Sequence, residues 1–113
     1  MIDCQFAQAV TTIDSRAAAE SLARSAVDAR LAACAQVSGP IYSTYWWEGA
    51  VENAEEWRVD FKTTAERYPA LERDIREHHS YDVPEVVLLP ILAGNPGYLS
   101  WISEETVRKD SAT

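Results

Sequence analysis

The octapeptide Glu56-Trp57-Arg58-Val59-Asp60-Phe61-Lys62-Thr63 alternates with a period of two: Trp57, Val59, Phe61 and Thr63 fall on one side, and Glu56, Arg58, Asp60 and Lys62 on the other. Successive side chains of a strand point to opposite faces, so this is a strand with one buried face and one wet face. The register predicts Trp57, Val59 and Phe61 in the core. Glu56, Arg58 and Lys62 are expected to face solvent or the polar groups of a neighbouring subunit.

Working towards the N-terminus, Glu48-Gly49 has turn chemistry and joins this strand to an earlier one over residues 34–47, bent at Gly39-Pro40, where proline cannot donate a ladder hydrogen bond. Residues 2–11 also alternate, with Ile2, Cys4, Phe6 and Val10 on one side and Asp3, Gln5, Ala7, Ala9 and Thr11 on the other. Asp14 reads as an N-cap, and Ala18, Leu22, Ala26, Ala29 and Ala33 recur at helical spacing, which predicts a helix over 15–32 with a flat face of small residues. Towards the C-terminus, Tyr68, Leu71 and Ile75 mark a helix over about 66–78, with Pro69 tolerable only in its first turn. The apolar run Val86–Leu89 and Ile91-Leu92 has the length of a central strand, although Pro90 inside it points to a bulge or an edge. Asn95-Pro96 supplies a cap and a first-turn proline for a short helix carrying Tyr98, Trp101 and Ile102.

The order β-α-β-β-α-β plus a C-terminal helix, joined by right-handed crossovers, makes an α+β, ferredoxin-like split βαβ sandwich with both main helices on one sheet face. Residues 1–106 form one expected domain and 107–113 a polar tail that frays. Tyr42, Tyr45, Trp46 and Trp47 put aromatic rings on both faces of the second strand. Two helices cannot cover both faces of a long hairpin, so the pattern calls for an interface with other subunits.

Composition narrows the function classes. Eighteen Asp and Glu against ten Lys and Arg leave a formal charge of −8, which opposes a phosphate-rich partner and suits cations. Cys4 and Cys34 make neither a C-x-x-C nor a disulfide framework. No leader-like start and no apolar run of membrane length is legible, so the expected location is the cytoplasm, with no membrane and no nucleic-acid partner. P-loop, G-x-G-x-x-G, G-x-S-x-G and H-E-x-x-H motifs do not occur, and the expectation is a binding protein, not an enzyme.

Five segments, in order, resemble the hallmark text of the CutA divalent-cation tolerance family: Arg30–Cys34, Tyr45–Gly49, Lys62–Thr64, His79–Glu85, and Leu89-Pro90-Ile91 with Gly94-Asn95-Pro96 and Tyr98–Ile102. The resemblance implies a homotrimer built by extending sheets between subunits, a shape similar to PII signalling proteins, and a link to tolerance of copper and other divalent ions. Some members of that family carry a cysteine near the end of the first strand as a proposed copper ligand. Val10 stands at the matching position here, so a site patterned on theirs lacks its thiolate.

His78-His79 is the most metal-like feature, because imidazole suits copper, zinc and nickel. Adjacent residues on an intact helix point about 100° apart, so both can hold one ion only if the helix ends between them. Otherwise one ring meets the helix's free C-terminal carbonyls while the other packs. The expected cofactor is thus a weakly bound divalent cation such as copper. Tyr45, Trp46, Trp47, Lys62, Tyr81, Glu85 and Trp101 are the expected residues of an intersubunit pocket or interface. The leading function is a homotrimeric divalent-ion tolerance protein that binds or responds to metal. The alternative is a PII-like small-molecule sensor with pockets between subunits and no metal dependence.

Overall fold

The computed structural model describes residues 4–107, so the proposed start of the first strand at Ile2-Asp3 and residues 108–113 of the proposed tail lie outside the described residues. The elements are β1 (Phe6–Ile13), α1 (Arg16–Asp28), β2 (Cys34–Trp47), β3 (Ala50–Thr64), α2 (Tyr68–His78), β4 (Val86–Pro90) and α3 (Pro96–Glu105). The four strands form one antiparallel sheet in the order β2-β3-β1-β4, as the split βαβ reading requires.

The octapeptide register holds. Val59 and Phe61 are fully buried, and Trp57 packs half-buried against the same cluster, in which α1 contributes Ala19, Leu22 and Ala26 and α2 contributes Leu71 and Ile75. On β1 the inward side chains are Ala9 and Ile13, paired with Phe61 and Trp57. The small side chains at Ala7 and Ala9, which look like the weak side of the sequence pattern, are thus on the helix-covered face. Phe6 and Val10 point the other way. Burying small residues there lets the helices lie close to the sheet.

Two boundaries move. Ser15, not Asp14, caps α1, its hydroxyl accepting from the Ala18 amide at 3.1 Å. The helix stops at Asp28 because Arg30 turns left-handed (φ 61), with Arg30 N bonded to Val27 O and Leu31 N to Ala26 O. That pair of bonds is a Schellman closure, which alanine periodicity alone cannot reveal. Among the described residues β4 pairs only with β1, and it ends at Pro90, so it is an edge strand there and not a central one.

The hairpin turn is a two-residue one, with Glu48 at φ 49 and Gly49 at φ 83, the left-handed pair that matches strand twist. β1 ends at Ile13, opposite Trp57, so beyond that point β2 and β3 pair only with each other, from Ile41↔Glu56 to Trp47↔Ala50. This free arm contributes to a long axis of 49 Å against 31 and 25 Å. At its base the ladder slips between Ser38 and Ile41. Gly39 there has φ +150, and a Cβ on it would lie 2.8 Å from Trp57 Cδ1 and 3.1 Å from Glu56 O. Glycine is required by both the conformation and the space.

Candidate functional site

The arm carries two aromatic faces. Pairing places Ser43, Tyr45 and Trp47 with Glu56 on one face and Tyr42, Trp46 and Val51 on the other. In the isolated subunit Tyr42 is 76 %, Trp46 74 % and Trp47 55 % exposed. Indole and phenol rings of that size are ordinarily desolvated in cores or interfaces.

Glu56 departs from the expectation for its strand face: it is 8 % exposed, not solvated. Ser43 Oγ donates to its Oε1 at 2.6 Å, and Tyr81 OH donates to its Oε2 at 2.8 Å. A buried carboxylate is tolerable only when its oxygens receive hydrogen bonds, and these two donors supply them. Burial, the bond to Glu56, and the charges of Glu56, Asp14 and Tyr45 together push the Tyr81 phenol well above its ordinary value. Sequence reading misses the Ser43–Glu56 contact. Counting pairs back from the Glu48-Gly49 turn sets Glu56 opposite Ile41 and hence diagonal to Ser43, which is the signal that could have found it.

The histidines sit where α2 ends, His78 as its last residue and His79 as an extended C-cap. His78 Nδ1 lies 2.8 Å from Asp74 O, a carbonyl of the last turn, and 3.4 Å from Asp74 Oδ1. Donation from Nδ1 to that carbonyl leaves the lone pair on Nε2 of an exposed residue. His79 is tied at both nitrogens. Nε2 lies 2.8 Å from Thr12 O, which can only accept, and Nδ1 accepts from the Tyr81 amide at 3.0 Å. Its ring meets that of Tyr81 with centroids 4.7 Å apart. Among the described residues no group of three His, Cys, Asp or Glu side chains converges on one point.

The remaining candidate residues lie apart. Lys62 is on the sheet face turned away from α1 and α2, its Nζ 3.0 Å from Gln36 Oε1, near the Gln8–Asp60–Arg58 group. Cys34, the strand partner of Lys62, sits 3.6 Å from Tyr98 OH, which places α3 over that same face. Tyr98 stacks on Trp101 at 5.6 Å, and burial with the neighbouring Cys34 pushes its phenol up to about 12. Glu85 offers its carbonyl to Thr11 Oγ1 at 2.6 Å, while its side chain is exposed. Within one subunit, then, Tyr81 is joined through Glu56 to the base of the arm that carries Tyr45, Trp46 and Trp47, while Lys62 lies further along the same side of β3, beside Cys34 and the Tyr98–Trp101 stack.

A split βαβ sheet with an over-long aromatic hairpin, its base tied by Tyr81 to the buried Glu56, defines a small α+β protein built for contacts beyond its own core. The family model for CutA1 divalent ion tolerance protein matches residues 7–105, and the chain belongs to that family. It is 39% identical over 95 residues to the divalent-cation tolerance protein CutA of Thermus thermophilus, covering 84% of this chain and 92% of that one. It is 40% identical over 95 residues to the chloroplastic protein CutA 1 of Oryza sativa subsp. japonica, covering 84% of this chain and 54% of the rice protein, so the chain spans about half the length of that relative. The fold is similar to the crystal structure of CutA1 from Shewanella sp. SIB1, with a TM-score of 0.89 and 31% identity over 92% of this chain and 97% of that one. The family's description is divalent-cation tolerance.

Proposed function

We propose that this chain is a one-domain subunit, over residues 1–106, of a homotrimeric divalent-cation tolerance protein that acts by binding and not by catalysis. The observation that carries the reading is the free hairpin arm, whose Tyr42, Trp46 and Trp47 are too exposed for a lone subunit. Packing the arm against a neighbour desolvates those rings and also covers strand edges that would otherwise invite aggregation. Tyr45, Trp46, Trp47, Lys62, Tyr81, Glu85 and Trp101 are the proposed contact residues between subunits. The choice of three subunits follows the family resemblance.

The proposed cation contacts are His78 and His79, with copper or a similar divalent ion as the ligand. The donor set fits such an ion only weakly. His78 offers one outward nitrogen, and His79 must give up a hydrogen bond to coordinate at all. The family's divalent-cation character supports this reading over the PII-like small-molecule sensor. Placement in the cytoplasm is part of the proposal and is supported by two cysteines that are free thiols.

Calorimetric titration of the purified protein with copper tests the cation reading. Weak binding that disappears in the His78→Ala/His79→Ala variant supports it, and unchanged binding in that variant contradicts it. Melting at several protein concentrations tests the assembly: the melting temperature rises with concentration if subunits stabilise one another. A constant value across a hundred-fold range contradicts it.

A further inference from the structure

We propose that Tyr81 is a positioning residue for subunit assembly: through Glu56 and Ser43 it sets the direction of the hairpin arm before subunits meet. The inference rests on the reading of the arm as a subunit contact and adds what aims it.

The arm leaves the sheet at a weak joint. Trp57 is the last residue of β3 paired with β1, and Glu56 is the first beyond it. On β2 at the same level, Gly39 and Pro40 have no partners in the ladder, which slips between Ser38 and Ile41. Where the arm begins, β3 thus loses β1 on one side and meets a gap in β2 on the other. A two-stranded ribbon is marginal by itself, so its direction has to be held by something else.

Two braces span the joint, one on each sheet face. On the helix-covered face the Trp57 indole lies against Gly39, where a Cβ would stand 2.8 Å from Cδ1. On the other face Glu56 receives Ser43 Oγ of β2 at 2.6 Å and the Tyr81 hydroxyl at 2.8 Å. Ser43, Glu56 and Tyr81 form a clasp, and its fixed end is the body of the subunit. The Tyr81 amide donates to His79 Nδ1 at 3.0 Å, and His79 Nε2 is bonded to Thr12 O on β1 at 2.8 Å. A continuous chain of hydrogen bonds therefore runs from β1 to both strands of the arm at its base. The Glu56 carboxylate is buried, so its donors are costly to lose.

An arm free to swing presents its aromatic rings in the assembling orientation for only part of the time. The apparent dissociation constant is then the intrinsic one divided by the competent fraction. That loss falls on association, whereas losing a contact between subunits speeds dissociation.

The test compares the full chain in three forms: wild type, Tyr81→Phe and Glu56→Gln. Tyr81→Phe keeps the ring, with any packing it makes, and deletes only the bond to Glu56. Glu56→Gln keeps both links, its carbonyl accepting from Tyr81 and its amide donating to Ser43 Oγ. Sedimentation over a dilution series gives the dissociation constant, and subunit exchange between two labelled batches gives the dissociation rate. In Tyr81→Phe the constant is expected to rise about five-fold or more, the effect of one ordinary hydrogen bond. Its exchange rate is expected to stay within about two-fold of wild type. Glu56→Gln is expected to match wild type in both within about two-fold. An unchanged constant in Tyr81→Phe, or a rise carried wholly by faster exchange, overturns the positioning role. Glu56→Gln as weak as Tyr81→Phe overturns it too, because the charge of Glu56 and not its bonds would then matter. A wild type that stays a single chain at every concentration overturns the reading of the arm as a subunit contact, and the positioning role with it.

Discussion

Tyr81 and Glu56, one in the segment after α2 and the other on β3, meet through a 2.8 Å hydrogen bond from the phenol to Oε2 of a carboxylate that is 8 % exposed. The bond joins the polypeptide that leaves α2 to the base of the free hairpin arm. It explains why a glutamate on the nominally wet side of β3 is buried: the burial is supported by Tyr81 from one side and by Ser43 from the other.

Removing the phenol oxygen leaves one oxygen of a buried carboxylate without its donor. Tyr81→Phe is therefore expected to lower stability by about 1–3 kcal/mol. Denaturant unfolding of the two proteins checks this, and a difference within experimental error would mean that water replaces the phenol at no cost.

Alkaline pH should destabilise the protein through its tyrosines. Burial, first, and neighbouring acids or Cys34, second, raise the phenols of Tyr68, Tyr81 and Tyr98, the last to about 12. The folded state thus keeps protons that the unfolded state gives up from about pH 10. The stability they contribute is complete below that pH and falls as pH rises towards 12 and above, because the unfolded chain then binds fewer protons. Unfolding free energy measured from pH 9 to 11.5 should decline, and less steeply in Tyr81→Phe.

Gly39→Ala should be costly for its size. The new methyl would sit 2.8 Å from Trp57 Cδ1 and 3.1 Å from Glu56 O, on a backbone at φ +150. Strain of this kind costs about 1–3 kcal/mol. A thermal melt within a degree of wild type would show that the base of the arm yields freely.

Phe61→Ala tests the core on which the sandwich rests. Phe61 is fully buried between Ala9 on β1 and Ala35 on β2, against the cluster that Leu22, Leu71 and Ile75 complete. A loss of about 3–5 kcal/mol is expected in chemical denaturation.

What the sequence makes legible follows the strength of its periodic signals. The β3 alternation gives the register that puts Val59 and Phe61 inside, and Asn95-Pro96 marks the start of α3, where Asn95 Oδ1 accepts from Gly97 N at 2.9 Å. The end of α1 is hidden because an arginine, not a glycine, takes the left-handed position at residue 30. The alternation of β1 does not tell its two faces apart, because alanine inside and phenylalanine outside invert the usual weighting of hydrophobic size. Of the candidate residues, the arm's aromatics stand out in the sequence because their excess is compositional. The clasp does not, because Ser43, Glu56 and Tyr81 are brought together by register and by a connecting segment, neither of which a local pattern encodes.

The arm should carry much of the assembly energy. Burying a large aromatic side chain is worth about 1.5–3 kcal/mol, so Trp46→Ser/Trp47→Ser is expected to raise the dissociation constant of the assembly at least ten-fold. Sedimentation across a dilution series reads this directly, and an unchanged constant would place the contact elsewhere.

The most direct measurement of the central claim is the mass of the wild-type protein in solution, by light scattering at micromolar concentration. A homotrimer of 12.6 kDa chains gives about 38 kDa, three times the subunit mass. A mass near 12.6 kDa would contradict the account, because Tyr42, Trp46 and Trp47 would then stand in water with nothing to cover them.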